Sequence, residues 1–217
     1  MSVEDCESEL VKCMDRTAPA ALEALDKLAK RRKILELEGE VASVQRMLQQ
    51  RQKHFRSHPV IDKFLMQFQP SKYGVQARFK FLVLVGGTQQ GKTSKGMSLM
   101  GPEKTYKVSC GGCSSGVLPS LSNFDRDRHQ AVLFDEVRTD QVIHHREVFQ
   151  SNQYVQTLGS SPCNPYAYSI WSYFVPFILC CNEFDIESTS LSAADQNWLS
   201  GNAMIVTLKV GEKWFLD

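Results

Sequence analysis

The sequence predicts an open α/β fold: a parallel sheet of about five strands flanked by helices, preceded by a long α-helical N-terminal segment. Three observations carry this. Five short, apolar and largely β-branched runs recur after residue 78, separated by stretches long enough for crossover helices. A glycine-rich tract, GGTQQGKT at 86–93, joins the first of these runs to a segment that can start a helix. Upstream, residues 20–56 contain no proline and one glycine, and are rich in Ala, Leu, Glu, Lys, Arg and Gln.

Composition bounds what such a chain does. With 217 residues, 42% hydrophobic and 23% charged, it is neither disordered nor fibrous and can bury a sizeable core. Net charge is +1, which excludes a protein that coats nucleic acid over its whole surface but leaves a local patch open. No apolar run reaches the roughly 18–20 residues of a membrane span. The acidic start MSVEDCESEL is unlike a leader peptide, and seven cysteines fit free thiols in a reducing compartment. An intracellular protein, in cytoplasm or nucleus and without a membrane partner, is expected.

Taken in order, residues 1–58 are expected to form the helical segment, 59–74 a linker with a short helix, and 75–217 the α/β core. Charge is polarised at the start: residues 1–26 balance to −5 and residues 27–56 to +6. Ile34, Leu37, Val41, Val44, Leu48 and Phe55 step by three and four. One helix over 20–56 would extend up to about 55 Å, with a narrow stripe suited either to its own domain or to self-association. Pro59 and Pro70 bracket the amphipathic IDKFLMQF. The candidate strands follow as FKFLVLV (79–85), TYKVSC (105–110), AVLFD (131–135), VPFILCC (175–181) and MIVTLKV (204–210). SCGGCSSG (109–116) and LGSSPCNPYAY (158–168) read as loops.

Three motifs sit where these strands end. GGTQQGKT fits G-x-x-x-x-G-K-[ST] through Gly86, Gly91, Lys92 and Thr93, in the required strand–loop–helix setting. Glycines let successive amides turn inward on phosphate oxygens, so Gly86, Gly87, Thr88, Gln89, Gln90, Gly91, Lys92, Thr93 and Ser94 are expected to cradle ATP. Lys92 would reach the β- and γ-phosphates, and the Thr93 hydroxyl would ligate Mg²⁺. AVLFDEV ends a strand in Asp135 and Glu136, 43 residues after Lys92. Asp135 is expected to hold Mg²⁺ and Glu136 to polarise the attacking water. FILCCNEF ends another in Asn182, expected to hydrogen-bond the γ-phosphate or that water.

The succession GGTQQGKT, TYKV, LFDEV and FILCCN resembles the superfamily 3 helicase core over about residues 75–210. It is most similar to the ATPase domain of replication-associated proteins of circular single-stranded DNA viruses and its RNA-virus helicase relatives. The resemblance implies a P-loop nucleoside triphosphatase with an AAA+-like sheet, the sensor strand lying beside the phosphate-loop strand. It also implies a hexameric ring with sites between neighbours, and ATP-driven movement on single-stranded DNA or RNA.

The chain departs from that pattern in three ways. No His-apolar-His motif is present and residues 1–70 hold no Tyr, so nicking is excluded. No arginine follows Asn182, which leaves Arg126, Arg128, Arg138 or Arg146 of a neighbour as the finger, or slow hydrolysis. The stretch matching the family's pore hairpin, residues 154–171, has no Lys or Arg but carries Tyr154, Tyr166, Tyr168 and Trp171, which suit base stacking or core packing.

Smaller features are expected to be structural: the half zinc motif Cys110-x-x-Cys113, the solvated helix start His144–His145, and the KRRK face at 30–33. The expected activity is that of an ATP hydrolase of helicase type. The alternative is a nucleotide-dependent, oligomerising interaction protein derived from such an ATPase. A small-molecule kinase fits the acidic pair less well.

Overall fold

The computed structural model describes residues 55–69, 77–159 and 167–215, together with the helical and exposed positions Ala29, Lys30, Arg32, Gly39 and Ser43. The chain divides into two units, residues 1–51 and 52–217. The seam positions from Ile34 to Leu48 lie outside the described residues, as does Tyr166. Phe55 is described, and it corrects one expectation. It is not helical but pairs antiparallel with Phe215 in a β-bridge. The cause lies just downstream: His58 precedes a proline and is extended (φ −148°, ψ 127°), so no helix runs through it into the next element.

That next element, α1 (Pro59–Met66), has Pro at its first turn and is capped by His58, whose Nδ1 accepts from Val60 N at 3.2 Å. Ile61 and Phe64 are its buried stripe. The sheet then follows: β1 (Phe81–Val85), α2 (Lys92–Ser98), a 3-10 turn (Pro102–Lys104), β2 (Thr105–Ser109), β3 (Ala131–Asp135), α3 (Thr139–His144) and α4 (Arg146–Phe149). A small antiparallel pair, β4 (Gln156–Leu158) with β5 (Tyr168–Ile170), occupies the stretch compared with the pore hairpin. β6 (Phe177–Cys181), α5 (Ala193–Asn202) and β7 (Ala203–Thr207) complete the fold.

All five expected strands are present, in the order β2-β3-β6-β1-β7, and every pair in the sheet is parallel. β1 and β6 are buried throughout because layers cover both faces, which is why their sequences run continuously apolar rather than alternating. Alternate residues nevertheless serve different cores. Phe81, Val83 and Val85 join Phe134, Phe149, Phe177 and Leu199 on one face. Leu82 and Leu84 join Ile61, Phe64, Met97, Leu133 and Trp214 on the other. The first core is knit by ring contacts, with Phe149 centred 5.8 Å from Phe81 and 5.1 Å from Phe134.

Helix α2 owes its closeness to the sheet to Gly96, which is buried. A Cβ there would stand 2.5 Å from Leu133 Cδ1 and 3.1 Å from Ile178 Cγ2. Behind it, buried Lys95 lies 5.5 Å from the Phe55 ring and 5.6 Å from that of Trp214. Burial lowers its pKa, and the charge of Asp62 opposes the shift. No described helix is long and apolar enough to cross a membrane.

A branched side chain at Gly96 must push α2 off the sheet. Gly96→Val is expected to lower unfolding free energy by about 1–3 kcal/mol, the usual range for overpacking, measured by urea denaturation.

Candidate functional site

The parallel register decides what meets at the carboxyl edge. Val85 is level with Cys181, and Cys180 with Asp135, so the chain leaves β1, β6 and β3 at nearly one height. From those three ends come the glycine loop, Asn182, and the pair Asp135–Glu136. They surround one cavity of about 340 Å³, lined by Thr88 to Ser94, Asp135, Glu136, Cys180, Cys181 and Asn182. Residues that are far apart in sequence are thus gathered at the edge where open α/β sheets bind ligands.

The loop itself is strongly curved. Gln89 (φ 61°) and Gly91 (φ 82°) are both left-handed, and Lys95 N donates to Gly91 O at 2.8 Å to start α2. Glycine at 91 allows that turn without a steric penalty. The loop is held from behind by Gln90, whose Nε2 donates to Lys209 O at 2.9 Å and whose carbonyl accepts from Trp214 N at 3.0 Å. The Gln90 amide nitrogen is therefore committed to the fold, while its Oε1 is buried without a hydrogen-bond partner.

Lys92 is 8% exposed, and its ammonium donates to Gly86 O and Gly87 O, both at 2.6 Å, and to Asn182 Oδ1 at 3.1 Å. All three acceptors are neutral. A buried ammonium surrounded by neutral dipoles attracts an anion strongly. Across the cavity, Thr93 Oγ1 donates to Asp135 Oδ1 at 2.9 Å. One hydroxyl and one carboxylate make a hard oxygen pair that suits Mg²⁺, which keeps waters and takes its remaining ligands from phosphate. No group of three or more His, Cys, Asp or Glu poised for a metal occurs among the described residues. The pair fits an ion that arrives with its own oxygen donors.

Glu136 sits beyond the strand with φ 58° and is exposed. A non-glycine residue in that region costs roughly 1–2 kcal/mol, and such strain concentrates at functional positions. A methyl group on Gly111 would fall on its carboxylate, so the loop after β2 closes over this acid. Asp140 anchors the same loop, accepting from Ser115 Oγ at 2.5 Å and Gly116 N at 2.8 Å.

Other candidate residues divide. Cys110 is buried, and burial, with Cys113 and the nearby acids, pushes its thiol up to about 12. Cys180 and Cys181 are likewise buried thiols with raised pKa, to about 12 for Cys181. His144 is exposed and ends α3, and His145, its Nε2 2.8 Å from Gly116 O, is both the C-cap of α3 and the N-cap of α4, so the pair closes one helix and starts the next. Arg146 is bound to Asp195 at 2.7 Å and lies 5.6 Å from the Trp198 ring. Arg138 donates to Asp140 Oδ1 and to Cys113 O, and Arg126 lies 4.1 Å over Trp171. Tyr168 is structural, its hydroxyl accepting from Leu121 N at 2.6 Å, whereas Tyr154 (67%) and Trp171 (45%) are exposed.

Sequence reasoning passed over one residue at this site. Lys107 Nζ stands 2.9 Å from Asp135 Oδ2. The available signal was a lone lysine in β2, two residues before the strand end that neighbours Asp135. No protein-family model matches the chain, and no curated protein matches it.

Partial burial opposes the charge on Asp140, but the hydrogen bonds from Ser115, Gly116 and Arg138 outweigh it and hold the carboxyl down to about 2. An unfolded aspartate titrates near 3.9, so the stabilisation is complete above about pH 4 and lost as pH falls through about 2. Urea melts of the wild type and Asp140→Ala are expected to differ at neutral pH and to converge across that acid window.

Proposed function

We propose that this chain is an ATP-binding, Mg²⁺-dependent nucleoside triphosphatase of the P-loop class, with an AAA+-like sheet, and that it belongs with the superfamily 3 helicases. The observation that carries this reading is the buried Lys92 ammonium, with only neutral acceptors, facing the Thr93–Asp135 pair across one cavity. The sheet order supports it. The strand that leads into Asn182 lies beside the phosphate-loop strand, as the resemblance implies, and has the strand ending in Asp135 on its other side.

On this reading, the γ-phosphate displaces Lys92 from the carbonyls of Gly86 and Gly87. The ammonium then neutralises charge on the β- and γ-phosphates while loop amides hold the same oxygens. Thr93 and Asp135 would hold Mg²⁺, which would supply charge neutralisation on the phosphates. Glu136 takes a proton from the attacking water. The Asn182 amide, already beside Lys92 Nζ, orients that water or the γ-phosphate. Movement on single-stranded DNA or RNA within a homo-oligomeric ring is the use the family makes of such chemistry. The exposed Tyr154 beside β4 suits stacking on a base, worth about 1–3 kcal/mol, whereas the Trp171 ring is already covered by Arg126 and stacked with Tyr173.

A second reading is favoured by the arginines. Arg126, Arg138 and Arg146 are each engaged within the chain, and no arginine follows Asn182. A protein that binds ATP, assembles, and turns over slowly as a switch would look the same at this site.

Lys92→Ala is expected to weaken ATP binding by at least about tenfold and abolish hydrolysis, since it removes charge-assisted hydrogen bonds worth about 1.5–3 kcal/mol. Glu136→Gln should bind ATP normally but lose about 10²–10⁴ in turnover. Fluorescent-nucleotide titration and phosphate release measure the two. Wild-type protein that neither binds nor hydrolyses ATP with Mg²⁺ would remove the enzymatic reading. Stimulation of turnover by single-stranded nucleic acid marks a motor, and tight binding with negligible turnover marks a switch.

A further inference from the structure

The two oxygens of Asp135 are divided between different partners. Oδ1 accepts from Thr93 Oγ1, on the cavity side, and Oδ2 is paired with Lys107 Nζ at 2.9 Å. The Asp135 side chain is 19% exposed and that of Lys107 39%. Lys107 is not among the residues that line the cavity. Its place follows from the register: Ser109 is level with Asp135, and Lys107 is two residues back on the same face of β2.

Resting on the ATP–Mg²⁺ reading of this site, we propose that Lys107 is a positioning residue for the metal carboxylate, a resident counter-cation. It ties up Oδ2, leaves Oδ1 turned toward Thr93, and balances the carboxylate that touches Thr93. A free divalent cation meets a charge-balanced pair and a nearby ammonium, which repels it. Phosphate oxygens tip that balance, so metal enters together with nucleotide rather than before it. Lys107 acts through Asp135 and touches neither phosphate nor water.

The test reads metal binding rather than turnover. Mn²⁺ is titrated by electron paramagnetic resonance into the full chain, alone and with ADP, for wild type, Lys107→Met, Lys107→Arg and the double variant Lys107→Met/Asp135→Asn. With an unmasked carboxylate, Lys107→Met is expected to bind Mn²⁺ about tenfold more tightly than wild type in the presence of ADP, and measurably without it. Lys107→Arg should match wild type, and the double variant should lose the gain. Lys107→Met binding Mn²⁺ no more tightly than wild type, while wild type binds Mn²⁺–ADP, overturns this inference and leaves the nucleotide site standing. Wild type that binds no nucleotide overturns both. Equal gains in Lys107→Met and Lys107→Arg would also overturn it, because a retained positive charge would then have no effect.

Discussion

The site depends on one constraint, the insertion of β6 between β1 and β3 in parallel register. Because Val85, Cys181 and Asp135 end at one height, a loop, an amide and a carboxylate separated by almost a hundred residues converge within hydrogen-bonding reach. A slip of one residue would turn the following side chains to the other face. Two apolar cores resist such a slip, since alternate residues of β1 are buried on opposite sides. The continuous hydrophobicity of these strands is therefore also what fixes the chemistry at their ends.

The glycine loop is curved by its own left-handed residues but kept in place by the segments around Arg56 and Trp214. Arg56 N donates to Trp214 O at 2.8 Å, and Trp214 N donates to Gln90 O at 3.0 Å. A continuous run of main-chain hydrogen bonds thus leads from the segment that enters the second unit to the loop itself. The Phe215 ring lies against Gly91, and Lys95 is held beneath the loop by the Phe55 and Trp214 rings. Two hydrogen bonds thus join the entering segment to Gln90 without passing through the sheet.

Strands and motifs were legible because each is a local signal. A β-branched apolar run announces a strand covered on both faces, and an acid or amide at its end announces the ligand edge. What was not legible depends on pairing across distance. Phe55 fitted a helical stripe by spacing, yet Pro59 and the Phe215 partner make it extended. Helix α5 buries only Leu199 fully and therefore leaves almost no periodic trace. The strained backbone of Glu136 has no sequence signature, because strain at one residue is imposed by its neighbours. Lys107 carries no signal of its own within TYKVSC, and only the register places it against Asp135.

Charge distribution bears on how the proposed reaction is completed. Around the Thr93–Asp135 pair the chain offers two ammonium groups, Lys92 inside the cavity and Lys107 outside it. A transition state for phosphoryl transfer spreads charge over oxygens that Lys92 covers only in part, and an arginine in such a place is worth 10³–10⁵ in rate. Arg146 would have to abandon both Asp195 and the Trp198 ring to serve, and Arg126 would have to leave Trp171. Breaking an ion pair and a ring contact to supply a finger within one chain opposes the gain. On the proposed reading, these engagements favour a chain that binds nucleotide and turns it over slowly, the second of the two readings above.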